Sequence, residues 1–492
     1  MRTSEGNRDL LAYKWVVLIN TTIGVLMSAL DSSITTIALP NITRSLHASV
    51  PESMWILMGY QLVITALLLP FSRVADMKGR VRSYNLGFAV FTGASVLCGL
   101  AQTGTQLVVF RLLQGIGAAL LFANSTALIT DAFPTAQRGF ALSINMVAAN
   151  SGFILGTVLG GILTQFFGWR YVFFINLPFG IFATAWAYVK LHEIVAPERA
   201  ARFDLGGMLA FPLAMASLLV GLTLVVMGRA GQALTNGLVV AGVVLFVLFL
   251  GIERRVSSPM MDLTLFRIRV FWAGNASLCL NALSRGATMF IMSWYFQAVL
   301  GDSPLLSGLK TLPMVVTMLG ISPVAGFLSD RLGSRWLSTL GLGCTLAAQA
   351  WIVTFPVDIP YGLLAAALAV LGIGNGLFNA PNTRAVMGSV PPNRRGVASG
   401  VRTLLNNSGR TVAIAVSMVF LSTTMSYGLL TELFTGTGTG SSGLDTLAFM
   451  AGFHEIFLFG AVVSALAIVC SSLRGAEGVA PASGRVATLE LS

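Results

Sequence analysis

The sequence predicts an all-α membrane protein of two six-helix bundles plus two additional central transmembrane helices, and three observations carry that prediction. Of 492 residues, 55% are hydrophobic and only 10% charged, with a mean hydropathy of +0.81, where an ordinary soluble domain carries about 25% charged residues. Apolar runs of the ~20 residues that a helix needs to cross a bilayer recur along the whole chain, without the short alternating segments of a transmembrane barrel. Finally, the two halves repeat one another. A shift of 257 positions lays Gly115 and Gly117 on Gly372 and Gly374, Pro134 on Pro391, Arg138-Gly139 on Arg395-Gly396, and Asn150-Ser151-Gly152 on Asn407-Ser408-Gly409. A slightly smaller shift lays Asp76 and Gly79 on Asp330 and Gly333.

Taken in order, residues 1–14 mix charges and lack a small-residue cleavage site after a short apolar core, so they read as a cytoplasmic N-terminus before an uncleaved anchor. Spans follow near 15–38, 54–72, 83–102, 106–128, 139–163 and 171–190, which make the N-terminal bundle, 15–190. Residues 191–269 read as a linker carrying two extra spans, 205–227 and 232–252. The C-terminal bundle, 270–473, holds spans near 270–299, 306–328, 337–356, 360–387, 397–424 and 450–473, and 474–492 reads as a cytoplasmic tail. Both bundles enter the membrane in the same sense, as parallel repeats of a transporter do, and such repeats place a binding site where the bundles meet.

The net charge of +11 is a matter of topology. Arg73, Lys78, Arg80 and Arg82 share one loop, and Arg138, Arg199, Arg202, Arg254, Arg255, Arg331, Arg335, Arg394 and Arg395 fall in alternate loops on the same side, which places both termini in the cytoplasm. No nucleic-acid partner is expected, because the basic residues form no single footprint. Cys98, Cys279, Cys344 and Cys470 lie far apart inside spans and read as packing residues. His47, His192 and His454 are too scattered to hold a metal. No Walker-type GKS or GKT occurs, and the glycine pairs follow no strand, so ATP is not the expected energy source and ion gradients remain.

Charged residues inside spans are functional hypotheses by default. Asp31 lies in "SALDSSITTIALPNI", about 7 residues from the outer end of the first span, and Arg111 about 5 from the outer end of the fourth, so at 1.5 Å per residue they share a depth. Two readings stay open: a static pair that fixes helix packing, or a proton site. In the second, desolvation opposes the ionised acid and a neighbouring arginine favours it, so its charge follows the side to which a cavity opens. Arg384 and Arg402 lie near cytoplasmic helix ends and can snorkel. Arg285 and Arg410 sit close to the midplane with no acid on the corresponding helices, which suits a water-filled cavity for zwitterions or amphipathic anions better than one for organic cations alone.

The loops "SRVADMKGRVR" and "GFLSDRLGSR" share an Asp-x-x-Gly core in which Gly79 and Gly333 permit a tight turn, and the Asp is placed to bond the start of a neighbouring helix. With "RLLQGIGAAL", "SGFILGTVLGG", "GWRYVFFINLPFG" and "YFQAVLGDSPLLSGLKTLP", they give the chain a resemblance over its whole length to the major facilitator superfamily, in its fourteen-helix drug/proton antiporter branch. The resemblance implies gating roles for Asp76, Gly79 and Arg80, with Asp330 and Gly333 in the second loop. It also implies proton-linked roles for Arg111 and Gln114 beside Asp31, and an antiporter hinge helix around Gly152, Gly156, Gly160 and Gly161. Arg285, Tyr295, Gln297 and Arg410 are candidate substrate contacts. Ser72, Met77 and Thr157 stand where the family usually has Gly, a basic residue and Pro, so no proline kink is expected in the fifth helix.

The expected function is proton-coupled export of amphipathic small molecules or drugs, with a dedicated metabolite, lipid or siderophore carrier as the alternative; neither is an enzyme. No cofactor is implied, the proton gradient supplies the energy, the bilayer is the environment and a monomer suffices.

Overall fold

The computed structural model describes residues 2–194, 205–228, 231–256, 261–356, 359–391, 394–435 and 443–475, with the backbone alone at 2–12, 135, 136, 139, 143, 146, 205, 330, 435 and 443–445. Arg199, Arg202, the tail beyond 475, and the side chain of Asp330 therefore lie outside the described residues. The described chain is helical without strands. Its long helices are α1 (Arg2–Leu46), α2 (Val50–Lys78), α3 (Arg80–Leu100), α4 (Gly104–Ala132) and α5 (Thr135–Phe166), followed by α6 (Tyr171–Phe174), α7 (Asn176–Lys190), α8 (Leu205–Met227) and α9 (Gln232–Glu253). The second half runs α10 (Arg269–Arg285), α11 (Thr288–Trp294), α12 (Pro304–Leu332), α13 (Ser334–Val353), α14 (Tyr361–Gly388), α15 (Arg395–Thr424), α16 (Tyr427–Thr435) and α17 (Gly443–Ser472).

Thirteen of the described helices are long and apolar enough to cross a membrane. The sequence expects fourteen unbroken spans; the segment at 270–299 departs from that, dividing at Gly286-Ala287 into α10 and α11 and ending in a π turn over Tyr295–Val299. Arg285 is the last residue of α10, so the break falls at the midspan arginine. A broken helix at membrane depth is tolerated where it lines a cavity. Large apolar side chains such as Phe182 on α7 and Val243 and Val247 on α9 face outward at 55–62% exposure, as expected where lipid is the solvent.

Turn chemistry fixes the joints. Between α1 and α2, Ser49 and Glu52 form a capping box: the Glu52 amide donates to the Ser49 hydroxyl, and the Ser49 amide donates to the Glu52 carboxylate at 2.8 Å. Between α2 and α3 a single residue, Gly79, turns the chain at φ 110°, and Gly333 repeats this at φ 81° between α12 and α13.

Helices α1 to α7 pack chiefly on one another, and so do α10 to α17. The added pair α8 and α9 packs together, and α8 bridges the halves by lying on both α2 and α15, with the Trp55 indole donating to Thr223 at 3.2 Å. Elsewhere the halves meet through α5 on α12, α2 on α15 and α1 on α11.

The glycine helix α5 lies on α1 backbone to backbone. A Cβ at Gly152 would stand 2.5 Å from the Leu26 carbonyl, and one at Gly156 2.5 Å from that of Leu30 and inside the Ser33 hydroxyl. At Gly160 the Ile34 carbonyl is 3.0 Å away, whereas Gly161 turns the other way, onto Leu305 of α12. Small residues permit this approach, which supplies the packing contact that lipid cannot supply by hydrophobic drive. The repeat preserves the device: Gly409 sits on the Cys279 carbonyl of α10 at 2.6 Å.

Candidate functional site

The first polar centre lies inside the α1–α7 half. Asp31 is fully buried, and so is Arg111, whose Nη1 donates to Asp31 Oδ2 at 2.5 Å. The second carboxylate oxygen accepts from the amides of Gln114 and Asn176, each at 2.9 Å. Gln114 also donates to Ser95 at 2.8 Å and accepts from Arg111 at 2.6 Å. Arg111 is completed by the Ile56 carbonyl at 3.1 Å and the face of Tyr60, 4.0 Å from the guanidinium carbon. Two charges in a low-dielectric interior are tolerated only with this degree of pairing. The structure thus brings Asp31, Arg111 and Gln114 into one network, and adds Ser95 and Asn176, which the sequence reading missed. Neither carries a charge, so hydropathy treats both as ordinary span residues.

The same position in the second half is neutral. Gln349, which the 254-residue offset between Gly79 and Gly333 aligns with Ser95, bonds Ser284 and Ser464 at 2.8 to 3.1 Å. No acid joins this cluster, whereas Asp31 stands at the centre of the first.

Beside the ion pair, a cavity of about 330 Å³ separates α1, α2, α4 and α5 from α10, α11, α12, α14 and α15. A narrower extension of about 50 Å³ reaches Arg111 itself. Arg285 and Arg410 line both parts, and the Arg410 guanidinium stands 6.0 Å from the Phe153 ring centroid. Arg402, read from the sequence as snorkelling to the cytoplasmic edge, lines the main cavity instead. Amides from Gln61, Asn150, Asn375, Asn379, Asn406 and Asn407 supply neutral polarity there.

Tyr295 and Gln297 lie outside that lining, because the π turn carries them away. Tyr295 is buried against Phe296, Phe449 and Phe453. Gln297 donates to the Ile37 carbonyl at 2.9 Å, while its own carbonyl accepts from Arg44 at 3.3 Å, so it joins α1 to the second half. Leu305 donates to Gln165 at 3.4 Å at the same end. These bonds join the two halves at the Arg44 end.

At the opposite end, Asp76 does not cap the neighbouring helix as the sequence suggests. It accepts from Arg80 Nε at 2.9 Å, and Arg80 also holds both oxygens of Asp131 at 2.6 and 2.7 Å. The start of α3 is capped instead by Glu193, which accepts from the amides of Arg80, Val81 and Arg82 at 3.0 to 3.2 Å. Gly79 is required twice over, by its positive φ and because a Cβ would overlap the Glu193 carboxylate. Neither Glu193 nor Asp131 was legible as a partner, since one lies 113 residues from Arg80 and the other 51.

Comparison with known proteins agrees with this geometry. A family model described as Major Facilitator Superfamily matches residues 21–414 and 276–486. The chain is 34% identical over 405 residues to the multidrug resistance protein Stp of Mycobacterium tuberculosis, covering 82% of this chain and 74% of that protein. It is 31% identical to the tetracenomycin C resistance and export protein of Streptomyces glaucescens, covering 83% and 76%. It is also 31% identical to the riboflavin transporter RibZ of Clostridioides difficile, covering 84% and 90%. Among solved structures, a bacterial homolog of the human lysosomal transporter Spinster, in an inward-facing and unoccupied conformation, superposes with a TM-score of 0.67 at 17% identity, covering 94% of this chain and 97% of that one.

Proposed function

This chain belongs to the major facilitator superfamily and is a multi-pass membrane transporter, and from that premise we propose that it is a proton-coupled antiporter exporting amphipathic small molecules across the cytoplasmic membrane by alternating access. The carrying observation is the Asp31–Arg111 pair beside a cavity between two groups of helices. A proton arriving at Asp31 cancels its charge, frees Arg111 from its only carboxylate among the described residues, and alters the field in the extension that Arg111 lines. Rocking of bundle 15–190 against bundle 270–473, with 191–269 as the bridge, then exposes the cavity to each side in turn.

The basic loops support cytoplasmic termini, and on that reading the Arg44 end is outer and the Asp76 end inner. The Gln297 and Arg44 bonds form the outer gate, and Asp76, Gly79, Arg80 and Glu193 brace the inner one, with Gly333 in the matching turn. Gly152, Gly156 and Gly160 give α5 a smooth track on α1, and Gly161 lets the same helix meet α12. A monomer contains the whole site. The resemblance to RibZ supports a second reading, a carrier dedicated to one metabolite.

Proteoliposomes with a trapped pH dye test coupling directly: export of a dye substrate should move protons in the opposite direction, in proportion. Dye transport without proton movement would refute antiport. A panel of cationic, neutral and anionic dyes separates the readings, since a dedicated carrier moves few of them.

A further inference from the structure

The main cavity carries an unbalanced charge. Arg285, Arg402 and Arg410 line it, and no Asp or Glu is among the residues lining either part of it. Among the described residues none of the three side chains has an ion pair or hydrogen bond; the ion pairs there involve other groups. The Nε atoms of Arg285 and Arg402 are buried without a partner. Asp31, next to the lining residue Ser32, does not itself line the cavity and already accepts from three side chains.

The fold brings two of these arginines together by construction. Arg285 ends α10 at the helix break, and the next residue, Gly286, lies so close to α15 that a Cβ on it would stand 2.8 Å from the Arg410 Cα. Both side chains then reach the same extension. Guanidinium groups at midspan without counter-charge are costly in a bilayer protein unless water or an anion meets them. Their planar forks match oxyanions, which accept two parallel hydrogen bonds from each.

We propose that the cavity binds an amphipathic anion. Its carboxylate, sulfonate or phosphate is held by Arg285 and Arg410, with Arg402 as a third positive charge, and its apolar body lies on Phe122, Phe153, Met314, Met318 and Leu371. The asparagines bond neutral polar groups of the same molecule. Three uncompensated positive charges also exclude permanent cations, which is selection by repulsion as well as by attraction. The proposal names the substrate class for the exporter above and rests on that reading only for the direction of movement. The same chemistry is found in a soluble organic acid and in an anionic lipid headgroup.

The test is equilibrium binding to the purified full-length protein in neutral detergent, with no gradient, so that it succeeds or fails independently of export. Carboxyfluorescein serves as the anionic probe and ethidium as the cationic one. Wild type should bind carboxyfluorescein saturably and more tightly than ethidium. Arg410→Gln and Arg285→Gln should each weaken carboxyfluorescein about tenfold or more, the usual loss for a hydrogen bond to a charged group, without weakening ethidium. Arg410→Lys should retain part of the affinity. Displacement of the dye by short-chain phosphatidylglycerol assigns the site to lipid headgroups as well, and no displacement assigns it to soluble acids; arginine dependence supports the anion site in both arms. Tighter wild-type binding of ethidium, or carboxyfluorescein binding unchanged in folded arginine variants, overturns it. Should the variants not fold, the wild-type preference between the two probes decides.

Discussion

Replacing Asp31 with Asn exchanges one oxygen for an amide nitrogen at nearly constant volume, so the perturbation is one of charge and hydrogen-bond polarity, with packing preserved. Every group that faces Asp31 donates: Gln114 and Asn176 to one oxygen, Arg111 to the other. An asparagine can accept on one side only, and its NH₂ must face donors on the other. Arg111 loses its carboxylate but keeps the Gln114 oxygen at 2.6 Å, the Ile56 carbonyl at 3.1 Å and the Tyr60 face. Removing one partner of a buried pair costs about 3–5 kcal/mol. The retained contacts put this substitution near the lower end, about 3 kcal/mol, within a typical stability of about 5–15 kcal/mol. The protein should therefore fold, with a lowered unfolding temperature. Adding Arg111→Gln removes the stranded charge and should recover about 2 kcal/mol relative to additive losses. In proteoliposomes, transport driven by an imposed pH gradient should fall to the passive rate, because no proton can be carried at position 31. Gradient-driven transport at the wild-type rate in Asp31→Asn would refute the coupling role, and strictly additive losses in the double variant would refute the energetic account of the pair.

The charge of the substrate sets the electrical character of the exchange: one monoanion leaving for one proton entering moves two charges in the same sense, about 4.6 kcal/mol per 100 mV, whereas a monocation exchanged for a proton moves none. Export of an anionic dye should therefore accelerate under an inside-negative potassium diffusion potential, and insensitivity to it would count against the anion. Gly156→Ala places a methyl against the Leu30 carbonyl and the Ser33 hydroxyl, so α5 must lift off α1; a loss of about 1–3 kcal/mol is expected from overpacking, measured as a lower unfolding temperature, with Gly93→Ala on α3 as a contrast because nothing lies within 4 Å of its Cβ position. Glu193→Ala uncovers the first amides of α3 and should cost about 1 kcal/mol, with faster alkylation of a cysteine introduced at Arg82; unchanged alkylation would show that the cap does not brace the Asp76 end.

Much of this architecture is written locally in the sequence. Apolar runs, basic loops and the repeated glycines report it because the bilayer demands about 20 apolar residues per crossing and a turn such as Gly79 demands positive φ, and both demands act on neighbours in the chain. Asp31 and Arg111 were legible for the same reason, as charges where charges are expensive. What the sequence could not state is partnership. That Glu193 rather than Asp76 caps α3, that Asn176 joins the carboxylate and Ser95 its amide partners, and that Gln297 ties α1 to the second half while Arg402 faces the cavity all depend on which helix faces meet. Helices that are apolar on nearly every side carry a weak periodic signal for those faces, because lipid and protein interior are equally apolar. The break at Gly286, which puts Arg285 beside Arg410, is likewise set by contact with α15, a segment more than 100 residues away. Composition and spacing determined that this chain crosses a membrane in two repeated halves; only the packed structure decided which charges are satisfied and which are left facing the cavity.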